Sequence, residues 1–514
     1  MKKVSLVIMA SLLLILSACS GGKTEQAAAG GSSEPKDLVL ALGSEPVSLD
    51  PQDATDGISY DATELIYDKL VTFDKDMKLV PQLAKEWTTS DDGKKMTFKL
   101  QQGAKFQDGT PVNAEAVKAS FERILNKDNK LARYSLFAEF VDKVAADSEY
   151  QVSFQLKFPY APALSTFAHP SGAIVSMKGV QEKGKNFNKQ PVGSGPYQLK
   201  EWVSGDKLVL VPNNEYWGEK PKLKSITIKP IKENAARALM LETGEADVIA
   251  PVPATDIERL KGNDKVNVTV YPSNRNLYIG MNTQKAPFQD VKVRQALNYA
   301  VDKETIVKKI LLGQAQVSQA AISELTWGYS PAGAYPYDPE KAKKLLAEAG
   351  VQPGTTIKLW TPEGRYLMDR QIAEFVQANL EAIGFKVEFR KWEWGAYTQA
   401  YRDPKSGFDL FLVSWAVPSN DADAGLRPLF QTKGANNYTL LSDPKIDELL
   451  DKGMKTVNAD ERKKIYADAL KNIKEQAPWI FLMEMKQPVG VRKNVEGVVS
   501  LNTELVDLRH AVKK

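Results

Sequence analysis

Short apolar runs of β-forming residues alternate with segments of helical spacing along most of the chain, and this alternation constrains the fold more than any other feature. The clearest case is residues 408–414 (FDLFLVS), apolar enough for a buried strand. The chain then breaks at Pro418, Ser419 and Asn420, passes two acids, Asp421 and Asp423, and resumes as LRPLF at 426–430. Strand, loop and helix in repetition build an α/β fold, with helices packed on a sheet. In open sheets of that class ligands bind beyond the strand ends. Trp415, Asp421, Asp423 and Arg427 therefore stand where a ligand would be met. An ordinary connection with solvated acids would have the same local sequence.

The same reading places further elements. Residues 37–42 (DLVLAL) form a first strand and 60–70 a helix. The turn Ser90-Asp91-Asp92-Gly93 joins two strands, the second over 96–100. Residues 103–111 (GAKFQDGTP) read as another hairpin, and Asn113 as the N-cap of a helix over 114–125. Strands are expected at 268–271, 277–282, 356–360 and 386–391, and helices at 292–300, 339–349 and 368–383. A last helix over 459–476 starts at Asn458 and stops before Pro478. About 480 residues beyond the N-terminal segment exceed one hydrophobic core, so two or three domains are expected.

Lys2 and Lys3 precede an apolar run over 4–16, which ends in Ser17-Ala18-Cys19. This pattern is that of a secretory signal peptide, and the run is shorter than the ~20 residues of a membrane span. The Leu-Ser-Ala-Cys sequence resembles a bacterial lipobox, which implies cleavage after residue 18 and a lipid on Cys19. Residues 19–35, rich in Gly, Ala and Ser, would form a flexible tether.

Composition removes several functions. Cys19 is the only cysteine, so an internal disulfide and a cysteine-based zinc cluster are excluded. Two histidines, His169 and His510, do not make a histidine-rich metal site. The 68 basic and 64 acidic residues are interspersed, which is unlike a nucleic-acid surface. No Gly-x-Ser-x-Gly elbow, Walker loop or His-Glu-x-x-His motif occurs, and with 64 acids a carboxylate pair arises by chance. No catalytic residue, metal or cofactor is assigned.

Residues 96–123 (MTFKLQQGAKFQDGTPVNAEAVKASFER), 191–202 (PVGSGPYQLKEW), 214–218 (NEYWG), 290–300 (DVKVRQALNYA) and 337–350 (YDPEKAKKLLAEAG) together resemble the large solute-binding proteins that serve peptide and nickel ABC importers. The resemblance spans nearly the whole mature chain. It implies two α/β lobes of the type II periplasmic-binding-protein kind, with an extra subdomain on lobe one. Lobe one would comprise 36–277, lobe two 278–483, and 484–514 would return to lobe one. The first crossover is expected at 272–276 and the return at 484–491. The implied partners are a small peptide ligand, importer permease subunits, and the membrane through the lipid anchor, with the protein itself a monomer.

A peptide offers charged ends and amides, so arginines, acids and aromatic walls are the groups to seek. Arg365 follows the 356–360 strand and suits a carboxylate clamp or a surface ion pair. Tyr278 and Asn282 share one strand face and either line the cleft or pack at the hinge. Trp327 and Tyr329 lie in a loop and suit a cap. Arg133 is a lesser candidate, and His169 reads as a hydrogen-bonded structural residue. Oligopeptide and dipeptide binders of the family carry an aspartate three residues after the tryptophan, where it meets the peptide's α-amino group. Here that position is Pro418, which has neither charge nor N–H. The pattern from Trp415 to Phe430, with FQDGT, RYSLF, AHP, TGEA and MNTQKAPF, is similar to the glutathione-binding proteins of ABC importers. That likeness implies Asp421 and Asp423 for the ammonium and Arg365 and Arg427 for carboxylates, although Arg427 equally suits an ion-paired helix residue. A general di- or oligopeptide binder or a signalling-peptide receptor shares the fold, and a secreted hydrolase has no catalytic group to offer.

Overall fold

The computed structural model describes residues 35–514. The signal peptide, Cys19 and nearly all of the expected tether lie outside the described residues. Two long strands, Val266–Met281 and Trp479–Arg492, run antiparallel through the middle of a mixed eleven-stranded sheet. Their ladder joins Val266–Pro272 to Arg492–Lys486 and resumes from Asn276 opposite Glu484, with a register shift between Pro272 and Asn276. The sequence suggests two strands separated by a crossover. In the structure the backbone stays extended through the break, so one sixteen-residue strand serves both halves of the sheet.

On one side of the break the sheet continues through Val248–Ala250, Asp37–Leu42, Ser225–Pro230, Lys207–Pro212 and Tyr197–Val203. On the other it continues through Leu410–Trp415, Thr356–Pro362 and Lys386–Trp392. Each half has its own core. Leu38, Leu40, Ile226 and Val248 pack in the first. Ile279, Leu297, Leu359, Leu412 and Ile480 pack in the second. A separate four-stranded sheet, Ala84–Thr89, Lys95–Leu100, Gln151–Leu156 and Val141–Ser148, is inserted into the first half. Its core is aromatic, with Phe121 edge-on to Phe154 at 4.8 Å and Phe98 edge-on to Phe167 at 5.5 Å.

Local capping chemistry explains several helix ends. Asn113 accepts from the Ala116 N–H and starts Ala114–Leu125. Asn458 does the same for Glu461 and starts Ala459–Gln476, which ends on Ala477 in the left-handed conformation before Pro478. The helix expected over 60–70 is found at Gly57–Ile66, because the Asp56 carboxylate caps the Ser59 N–H and fixes an earlier start. Residues 103–111 fold back on themselves as a short hairpin, with an antiparallel bridge between Lys105 and Pro111 and backbone bonds from Phe106 N–H to Thr110 at 2.8 Å and from Val112 N–H to Ala104 at 2.9 Å. Gln107, within its turn, is bound to Gly193, donating its N–H at 2.9 Å and accepting through Oε1 at 3.1 Å.

The most recognisable sequence motifs serve this scaffold. Asp68 is fully buried and accepts from Gln82 Nε2 (2.9 Å), Ser194 Oγ (3.0 Å), Tyr216 Oη (3.1 Å) and Trp217 Nε1 (2.9 Å). The 191–202 and 214–218 segments thus meet on one carboxylate. Gly193 and Gly195 lie against the Ile66 backbone, where an added Cβ would come within 2.1 and 2.5 Å of it.

Candidate ligand site

The strand Leu410–Trp415 delivers the chain to the loop 416–421, and Asp421 caps the helix Ala422–Phe430 by accepting from the Asp423 N–H. Asp421 is buried and forms a bidentate pair with Arg462, at 2.7 and 2.6 Å. Arg462 also donates to the Gly453 carbonyl at 2.9 Å and stacks over Trp327 at 4.4 Å. Burial pushes the Asp421 carboxyl up, against the opposing pull of the Arg462 guanidinium. Backbone bonds from Trp327 N–H to Asn420 and from Ala422 N–H to Trp327 tie the 323–329 loop to this helix start.

Asp423 is fully buried. It accepts from Arg427 Nε and Nη2, each at 3.0 Å, and from the Tyr160 hydroxyl at 3.0 Å. Arg427 also pairs with Glu139. Three of the four charged residues expected around the ligand's ends, all but Arg365, are therefore already satisfied by protein groups. Asp421 and Asp423 do not present free carboxylates, and Arg427 is the ion-paired helix residue that its sequence setting equally suits. The arginine that neutralises Asp421 lies 41 residues further along the chain, beyond any local signal.

Tyr278 and Asn282 are brought into the interior, not to an open surface. Tyr278 stacks on Trp479 at 3.4 Å, and Asn282 holds a turn by accepting from the Gln284 N–H. The alternation along the strand fixes their shared face, and that face packs against the second half's helices. His169 is buried and accepts from the Ser171 N–H through Nδ1. Arg133 bonds to the Ala54 carbonyl and the Tyr60 hydroxyl. Both are structural.

Arg365 stands differently. It follows the strand Thr356–Pro362 and lies 5.3 Å from the Tyr366 ring and 5.0 Å from the Trp394 ring. Among the described residues it makes no ion pair, and its buried Nε has no hydrogen-bond partner. A guanidinium framed by aromatic rings and lacking an acid is suited to an incoming carboxylate. Trp415 is half-buried and donates from Nε1 to the Ala424 carbonyl at 3.2 Å. Tyr329 is half-buried in the loop beside Trp327.

The break in the central ladder falls at 272–276, where the first crossover is expected, and it is a polar junction whose side-chain bonds no local pattern announced. Asn274 spans both backbone groups of Val417, donating Nδ2–H to its carbonyl at 2.9 Å and accepting its N–H at 3.2 Å. Its own N–H donates to the Asn502 carbonyl at 2.7 Å. Arg275 joins Glu504 (2.6 Å) to Ser414 (2.9 Å). The only signal for these residues was their place between two strands. A cavity of about 620 Å³ opens beside this junction, with Lys75, Tyr271, Glu324, Trp327, Asn420 and Asn502 among its walls. Its walls come from both halves of the molecule and from the C-terminal segment, and its size lies within the ~300–1,000 Å³ of small-ligand pockets. The buried hydroxyl of Thr326, another wall residue, has no partner.

Residues 78–437 match the bacterial extracellular solute-binding proteins, family 5, middle region. The chain belongs to that family. Family-5 solute-binding proteins work with ABC transporters and are not enzymes, and this chain is accordingly an extracytoplasmic binding protein with their two-lobed fold. The glutathione-binding protein GsiB of Pectobacterium atrosepticum is 37% identical over 458 residues, covering 87% of this chain and 88% of the relative. The Helicobacter pylori binding protein DppA in complex with the peptide STSA superposes with a TM-score of 0.84 at 29% identity, over 93% of this chain and 98% of that one. A Pseudoalteromonas dipeptide-binding protein in complex with Met-Leu gives a TM-score of 0.86 at 27% identity, over 93% and 100%.

Proposed function

We propose that this family-5 solute-binding protein captures glutathione, or a short peptide of similar size and charge, and passes it to an importer permease. The observation that carries the reading is the loop after Trp415. Position 418 is proline, and the two nearby acids are both held by arginines. The loop therefore offers no free carboxylate to a linear peptide's α-ammonium. A γ-glutamyl head bears ammonium and carboxylate on one carbon, so its recognition relies less on a lone aspartate. Similarity to GsiB over most of both chains supports the same ligand. Arg365 takes a carboxylate, with Tyr366 and Trp394 as its aromatic frame, and Trp415, Trp327 and Tyr329 supply walls. Closure is a hinge motion about Pro272–Asn276 and the facing residues 484–486, favoured by a ligand that touches both lobes.

Native mass spectrometry of the mature chain with glutathione and a mixed di- to pentapeptide pool tests the ligand. Selective retention of glutathione is the expected result, and retention of ordinary peptides alone would replace it with a general peptide binder. In calorimetry, Arg365→Ala is expected to weaken glutathione binding tenfold to a hundredfold. That range corresponds to the ~1.5–3 kcal/mol of a hydrogen bond to a charged group. Unchanged affinity would remove Arg365 from the site.

We also propose that Cys19 is lipidated and holds the protein at the membrane, as its Leu-Ser-Ala-Cys setting suggests. Cys19→Ala is expected to move the protein from the membrane fraction to the soluble fraction. Retention at the membrane without lipid label would sink the idea.

A further inference from the structure

The contact between the inserted sheet and the second lobe has no part in ligand recognition as described, yet it is well built. Tyr160, on the segment after strand Gln151–Leu156, is 7% exposed and stacks on Phe140 at 4.3 Å. Its hydroxyl reaches across to Asp423 at 3.0 Å. Glu139, next to Phe140, pairs with Arg427. The Ala161 N–H donates to the Met454 carbonyl at 3.2 Å, and the Met454 side chain is buried against the aromatic core of the insert. Lys455 lies 5.8 Å from the Phe158 ring.

We propose that Tyr160 and Glu139 are affinity-determining residues outside the ligand cavity, which hold the second lobe shut through Asp423 and Arg427.

The bonding pattern suits a contact that must form and break. Asp423 and Arg427 sit four residues apart on one helix and neutralise each other whether or not the lobes touch. Opening therefore strands no buried charge, which is the usual cost of breaking a buried ion pair: the carboxylate it releases, Glu139, is 42% exposed and meets water. What is lost on opening is one neutral O–H to carboxylate bond, the Ala161–Met454 backbone bond, the packing of the Met454 side chain and that one ion pair at the rim. Such bonds bias a hinge without locking it. Ligand affinity follows the population of the closed form, because apparent affinity is the intrinsic value scaled by the binding-competent fraction. The insert thereby acquires a role that the cavity alone does not give it.

The test is Tyr160→Phe, which keeps the ring on Phe140 and removes the crossing hydroxyl. Small-angle scattering of the mature chain, free and saturated with glutathione, is compared with wild type. Glutathione affinity is then measured by calorimetry. A larger radius of gyration in the free or the saturated state, with affinity about tenfold weaker, is the expected result. Glu139→Gln, at the exposed rim, should shift both in the same direction by less, and serves if Tyr160→Phe lowers the unfolding midpoint. Scattering that superimposes on wild type in both states for both variants would overturn the proposal. If wild type itself takes up no glutathione, the ligand assignment fails, and the free-state scattering still decides the latch.

Discussion

Asp421→Ala is expected to lower the unfolding free energy by about 3–5 kcal/mol, the cost of stranding a buried charge. The charge left behind is Arg462, whose side chain is 4% exposed and whose one ion-pair partner among the described residues is Asp421, bound at 2.6 and 2.7 Å. The N-cap of the helix Ala422–Phe430 is lost at the same time, worth about 1 kcal/mol more. Urea denaturation followed by tryptophan fluorescence measures the change, since Trp327 lies directly over Arg462. The double variant Asp421→Ala with Arg462→Met should recover much of the loss, because an apolar side chain of similar length has no charge to strand. A single variant as stable as wild type would return Asp421 to the list of ligand groups, since its charge would then have been held for something other than the fold.

The second large effect is expected at Asp68. Four donors, from Gln82, Ser194, Tyr216 and Trp217, converge on its two oxygens in the interior of the first lobe. Asp68→Asn places an amide N–H₂ opposite two of those donors, and each buried donor left unpaired costs about 1–3 kcal/mol. A loss of roughly 2–5 kcal/mol at neutral pH is expected from denaturation curves. The pH dependence is also fixed in sign. Burial pushes the Asp68 carboxyl up to about 6, against the pull of the Trp217, Ser194 and Tyr216 hydrogen bonds. Its value in the unfolded chain is about 3.9. A folded value above the unfolded one means that the native state holds the extra proton between those limits. The stability Asp68 contributes is therefore full below about pH 4 and declines as pH rises through 6. The gap between wild type and Asp68→Asn should narrow over that window and stay flat above it. A gap that widens from pH 4 to 6 would show that the four hydrogen bonds dominate over burial.

These two carboxylates show where sequence reading reached and where it stopped. The caps at Asn113 and Asn458 were legible because a side chain and the N–H it accepts lie three residues apart. The strands Asp37–Leu42 and Thr356–Pro362 and the helix Asp369–Ala382 were legible because burial on one face writes a period of two or 3.6 into the chain. The family was legible because its glycines and aromatics answer strict packing needs, as Gly193 against Ile66 and Trp217 against Asp68 show. Asp421 and Asp423 look the same in sequence whether they await a ligand or not. Asp421 is paired with Arg462, 41 residues away, and Asp423 accepts from Tyr160, 263 residues away, as well as from Arg427 one helical turn on, the one partner within local reach. Charge and hydrogen-bonding capacity are properties of a residue, and the sequence alone determined those. Whether that capacity is spent inside the protein or left for a ligand depends on which distant segments the fold brings within 3 Å, and only the tertiary structure decided that.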